Sequence, residues 1–96
     1  LSSAKVKSMS LQEIIKNESV EDFVTFFGLF MDYPRIDRLY TYNRFEVIEN
    51  SGLLNIFTKL FKSEVFIDEK GKVAKGPNWK EPKFVTDKKY DLSEFI

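Results

Sequence analysis

Between Ser19 and Pro34 the chain reads SVEDFVTFFGLFMDYP, and this stretch most constrains the fold. Val20, Phe23, Val24, Phe27, Phe30 and Met31 repeat at i, i+3, i+4 and i+7, the spacing of one buried helical face. Phe26 and Leu29 lie off that stripe, so the predicted helix is apolar around most of its circumference. A helix of that kind must be covered on two sides, which makes it the central element of a small domain. Ser19 is placed as N-cap with Asp22 three residues on, and Glu21 and Asp22 sit where the helix dipole favours negative charge. Gly28 falls inside the predicted helix, at a cost in propensity that close approach of a neighbouring helix or ring would justify.

The flanking segments supply more helices. Ser10 and Glu13 form a capping-box pair ahead of Leu11, Ile14 and Ile15, giving a short helix that ends near Asn17. Pro34 closes the central helix and opens the next at its first turn, with Asp32 as cap. Residues 35–42 admit a short helix or an extended segment. Asn43 and Glu46 make a third cap-like signature before Phe45, Val47 and Ile48. Ser51 is the expected cap of an amphipathic helix carrying Leu53, Leu54, Ile56, Phe57, Leu60 and Phe61. Helix, a short turn with glycine, helix is the outline of a helix-turn-helix. VFI at 65–67 is β-prone, DEKG places Gly71 where a hairpin wants positive φ, and KVAK at 72–75 returns. GPN at 76–78 breaks the second arm, and 83–95 is expected to add an edge strand. The expected fold class is α+β: three to four helices with a C-terminal β-hairpin, a winged-helix-like single domain over 10–96, preceded by a flexible arm at 1–9.

Composition removes several functions. The 96 residues include neither Cys nor His. Disulfides, thiolate or imidazole metal sites and imidazole general bases are therefore excluded. No apolar run approaches the roughly 18 residues of a membrane span, and LSSAKVKSMS lacks the apolar core of a secretory signal. The expectation is a cytoplasmic protein with no cofactor, no metal and no membrane partner. Asp32 and Asp37, among nearby Tyr and Arg, are the nearest approach to a catalytic constellation. No phosphate loop or nucleophile motif accompanies them, so the chain reads as a non-enzyme with no catalytic residues.

Formal charge is zero but segregated. Residues 17–49 hold seven acids against three bases, while 50–96 hold nine Lys against seven acids. Two binding classes follow. The stretch DYPRIDRLYTYNRFEVIE at 32–49 is dense in Tyr and Arg, the residues enriched at interface centres. With the acids it defines a partner-binding set: Glu18, Glu21, Asp32, Tyr33, Arg35, Asp37, Arg38, Tyr40, Tyr42, Glu46 and Glu49. Aligned acids would steer a basic protein partner. Alternatively, Asn55, Lys59 and Lys62 on the last helix, with Lys70, Lys72 and Lys75 on the hairpin, would serve a winged-helix nucleic-acid-binding regulator. That second helix lacks the arginine that most often reads guanine, and a near-neutral chain is not the usual nucleic-acid binder.

The run SGLLNIFTKLFKSEVFIDEKGKVAKGPNWKEPKF, from Ser51 to Phe84, resembles the helix–hairpin end of small winged-helix-like bacterial proteins. Some of these are immunity proteins of polymorphic or contact-dependent growth inhibition toxin systems. The DEKGK turn and GPNWKEP carry the resemblance. It implies a protein that neutralises a cognate toxin, such as a nuclease with a basic cleft, by covering its active site or an adjacent surface. Nucleic acid is a partner only under the alternative reading.

Overall fold

The computed structural model describes residues 11–93 and Phe95. The expected arm at 1–9 and the Ser10 cap lie outside the described residues. Helix α1 covers 11–17, and α2 runs Val20–Phe27, α3 Tyr33–Asn43, α4 Phe45–Glu49 and α5 Gly52–Lys62. Strands β1 (Phe66–Glu69) and β2 (Lys72–Lys75) form an antiparallel hairpin, and a short helix α6 spans Lys83–Thr86. The chain is thus a small compact α+β domain whose two-stranded hairpin follows the helices.

Helix α2 starts where its caps dictate: Ser19 Oγ accepts from the Asp22 amide at 3.1 Å. Five consecutive residues, Phe23 to Phe27, are buried, so the helix is covered all round. Helix α5 packs on one side of it through Leu53, Phe57 and Leu60. From the C-terminal segment, the Phe84 ring approaches Phe26 and Phe27 at 6.2 and 6.4 Å. Each such ring contributes about 1.5–3 kcal/mol on burial. One contiguous cluster joins Ile14 and Ile15 of α1, Ile36 and Tyr40 of α3, Val47 of α4, Phe66 of β1 and Leu92 of the tail to these residues.

Helix α2 is shorter than the apolar run suggests. It stops at Phe27, and bonds from Leu29 to Phe26 and from Phe30 to Phe27 tighten the chain into a turn. Leaving the helix breaks the periodicity, so Met31 stays buried while Phe30 becomes 48% exposed. Gly28 is therefore the C-cap rather than an interior residue. Its φ of −62° needs no glycine. The need is space: a Cβ there would lie 2.8 Å from Phe66 Cζ and 2.6 Å from the Val24 carbonyl oxygen.

Asp32 caps α3 as expected, its Oδ1 accepting from the Arg35 amide at 3.1 Å. Residues 35–42 are helical throughout. Two other expected caps are corrected. Asn43 is the last residue of α3, and its Nδ2 donates to the Leu39 carbonyl, so Arg44 forms the break before α4. Ser51 stands at the N-cap position of α5 with φ 57° and makes no side-chain cap bond. A capping hydroxyl works from extended backbone, and left-handed backbone does not present it to the helix amides. The helix stripe also needs revision, because Leu54 and Phe61 are exposed.

The hairpin matches its sequence closely. Lys70 and Gly71 have φ 55° and 83°, the paired positive values of a type I′ turn. The Gly71 amide donates to Asp68 Oδ1 at 2.8 Å. Register pairs Glu69 with Lys72, Asp68 with Val73, Ile67 with Ala74 and Phe66 with Lys75. The edge strand expected within 83–95 is absent from the described residues. Pro82 starts α6 instead, and the adjacent Phe84 and Val85 are both buried. A strand would send neighbours to opposite faces, whereas this end of the chain meets the core from one side.

Gly28→Ala is expected to lower stability by about 1–3 kcal/mol through overpacking against Phe66 and the Val24 carbonyl. Urea denaturation measures it, and unchanged or increased stability would show that the contact yields freely.

Candidate functional site

Helix α3 sorts the residues of the Tyr/Arg-rich segment onto different faces. Ile36 and Tyr40, one turn apart, face the core. Tyr40 was expected at an interface, and that is corrected: its side chain is fully buried, edge-on to Phe23 at 5.4 Å. Burial pushes its phenol far above the usual range, slightly opposed by the Arg44 charge. Its Oη finds no hydrogen-bond partner among the described residues. Tyr33 is half-buried against the Phe57 ring at 5.0 Å, and Asp37 is half-buried nearby on the helix. Burial, with the Asp37 charge adding to it, raises the Tyr33 phenol.

Arg35, Arg38 and Tyr42 are all exposed, Tyr42 to 80%. Their spacing of i, i+3 and i+7 sets them on one outward stripe of α3. Phe45, 54% exposed, opens α4 beyond the Arg44 break. Phe45 was missed as a candidate; it follows Tyr42 by three residues but across the Arg44 break, so its exposure is set by the start of α4 and not by the α3 period. Glu46 and Glu49 follow, both exposed. Over 35–45 this ridge of chain leaves two guanidinium groups and two large rings open to solvent.

Most of the acids assigned to a negative face serve the fold instead. Glu18 sits in the α1–α2 turn, where Oε2 accepts from Lys89 Nζ and Tyr90 Oη, both at 2.8 Å. Burial works to raise its carboxyl, but the bonds from Lys89 and Tyr90 and the Lys89 charge outweigh it and hold it below the usual carboxylate range. Arg44, outside the partner-binding set, donates to the carbonyls of Ile15 and Glu18 at 3.2 and 3.4 Å and so closes the end of α1. Its Nε pairs with Glu46 at 3.0 Å. That bond is the leading reason the Glu46 carboxyl lies lower than usual. Glu21 pairs with Lys59 at 2.8 Å, bridging α2 and α5. Asp32 is spent on the α3 cap.

The basic set is split. Asn55, Lys59 and Lys62, with Thr58 and Ser63, line a shallow depression of about 450 Å³ along α5. Lys70 and Lys72 flank Gly71 at the hairpin tip, while Lys75 lies over the Trp79 ring at 4.3 Å. Trp79 itself is an anchor, half-buried with Nε1 donating to the Thr25 carbonyl at 2.8 Å. Among the described residues no group of His, Cys, Asp or Glu could hold a metal ion, and no helix is long and apolar enough to cross a membrane. Comparisons with protein-family models, with curated proteins and with solved structures return no match.

Two expectations follow from this arrangement. Tyr40→Phe removes a partnerless buried hydroxyl while keeping the ring, so stability should hold or rise by about 1 kcal/mol; a clear loss in thermal melting would reveal a partner for Oη. The lowered Glu18 carboxyl contributes stability that is present above its unfolded value near 4.5 and lost as pH falls through the lower folded value. Glu18→Gln should therefore lower Tm at neutral pH, with the gap to the parent closing on acidification. A gap that stays constant with pH would contradict the linkage.

Proposed function

We propose that this chain is a non-enzymatic protein-binding domain that acts as an immunity protein, neutralising a cognate bacterial toxin by covering its active site or an adjacent surface. The observation that carries the reading is the exposure of Tyr42 and Phe45 on the ridge that also holds Arg35 and Arg38. Two large rings in water within four residues of chain offer apolar area for a partner to cover, and Tyr, Phe and Arg are enriched at interface centres. Rings with few rotatable bonds bury large area at low entropic cost, and guanidinium groups fix orientation by bidentate bonds.

The chemistry of the complement changes with the geometry. Glu18, Glu21, Asp32 and Glu46 are already engaged within the chain. What the ridge offers is two arginines beside aromatic surface. The fitting partner surface has carboxylates for Arg35 and Arg38 and an apolar recess for Tyr42 and Phe45. This support differs from the expectation of an acidic face meeting a basic cleft. Inhibition in this reading is steric, needing no group on this chain to react.

Co-expression with the product of a neighbouring toxin gene should give a stoichiometric complex. Tyr42→Ala or Phe45→Ala should weaken it by about 2 kcal/mol, roughly 30-fold, mainly in dissociation rate, with Tm unchanged. Arg35→Glu should slow association, most at low salt. Absence of a complex, or ridge variants that bind like the parent, would count against the proposal. Salt-steep binding to duplex DNA that depends on Lys59 and Lys62 would favour the regulator instead.

A further inference from the structure

A second surface, apart from the α3–α4 ridge, is defined by backbone geometry. Among the described residues the sheet has two strands, so β2 has a neighbour on one side alone. A two-residue turn makes Glu69 and Lys72 a hydrogen-bonded pair, and pairs then alternate along the ladder. The bond from the Gly76 amide to the Val65 carbonyl at 2.8 Å continues that alternation. Val73 and Lys75 are therefore the positions whose N–H and C=O groups point away from β1. Neither residue's backbone is bonded to another group among the described residues.

Two cavities border this strand. One of about 470 Å³ is lined by Lys72 and Val73 on the hairpin and by Leu29, Phe30 and Asp32 opposite. The other, about 250 Å³, is lined by Lys75, Trp79 and Glu81, again with Leu29 and Phe30. Leu29 and Phe30 belong to both, so the two hollows lie end to end beside β2 around the exposed Phe30 ring. We infer that the outer edge of β2 is a docking site for an extended segment of a partner protein that alternates apolar and acidic side chains.

The pattern of the occupant comes from the strand it would join. Val73 faces the core side of the hairpin, packed against the central cluster. A partner side chain beside it enters the hollow walled by Leu29 and Phe30 and must be apolar. Lys72 and Ala74 face the opposite side. A partner residue beside Lys72 is best acidic, since opposite charges across strands stabilise and like charges do not. Asp32 and Glu81 lie on the far wall, and their carboxylates already accept from the Arg35 amide and Thr86 Oγ1. They disfavour acids pointing inward and leave the outward positions unaffected. The same lysines disfavour a second copy of this chain, because two KVAK edges brought together carry four lysines and no acid. Strand addition of this kind takes affinity from main-chain bonds and specificity from alternate side chains.

Hydrogen exchange on the labelled protein tests the assignment, with a short acetylated peptide alternating valine and glutamate and a valine–lysine counterpart as probes. With the glutamate peptide at about ten times its Kd, the Val73 and Lys75 amides should exchange about tenfold more slowly. The lysine peptide should leave them unchanged. Val73→Pro removes an outward donor without touching the ladder, so binding should be lost while the Ile67 and Ala74 amides stay protected. Lys72→Glu should reverse the peptide preference, a readout that does not depend on the proline variant folding. No protection at Val73 with saturating peptide, protection at Phe66 and Asp68 instead, or equal binding of both peptides would overturn the inference.

Discussion

Full burial of α2 is the constraint on which the other elements depend. Five successive buried residues leave no face of this helix for water, so one layer of packing cannot cover it. Helix α5 covers one side, and Phe84 and Val85 cover another. Trp79 closes the region between by donating to the Thr25 carbonyl. The hairpin contributes Phe66, whose ring occupies the space that Gly28 leaves empty. The C-terminal third is thus held by the core of the first third, and the hairpin sits as a lid with Lys72 outward and Lys75 over the Trp79 ring.

The polar contacts follow the same division of labour. The α1–α2 turn would end with open carbonyls, and Arg44 supplies donors to two of them from far along the chain. Glu18 then ties that turn to Lys89 and Tyr90 near the C-terminus. These bonds fasten the α1–α2 turn and residues 89–90 to one another beside the α2 core. They also draw acids out of the surface field, leaving the ridge of α3 and α4 distinguished by rings and guanidinium groups rather than by negative charge.

Features set by a few adjacent residues were legible in the sequence. Ser19 and Asp32 cap helices because a short polar side chain in extended backbone reaches the amides just beyond it. Lys70–Gly71 turns because glycine accepts positive φ and Asp68 accepts a bond from the Gly71 amide. The all-round burial of α2 was also readable, from Phe26 lying off the main stripe. Other features were hidden because distant residues decide them. Asn43 and Ser51 carry the right side chains for capping, yet the break at Arg44 and the left-handed backbone at Ser51 remove them from that role. Phe30 keeps the helical period but not the helix, since the chain turns at Gly28. Tyr40 and Tyr42 look alike in sequence and differ completely in exposure, because α3 turns one inward and the other outward.

By itself, then, the sequence determined the lack of thiol and imidazole groups, the starts of α2 and α3, the hairpin turn and the need for a two-sided core. These depend on side-chain type and on interactions within one turn of backbone. Tertiary structure alone decided which acids are engaged internally, which rings face solvent and how a C-terminal stretch that could have been a strand became a helix. Each of those outcomes depends on contacts between residues far apart in the chain, and burial against a distant neighbour outweighs local propensity wherever the two disagree.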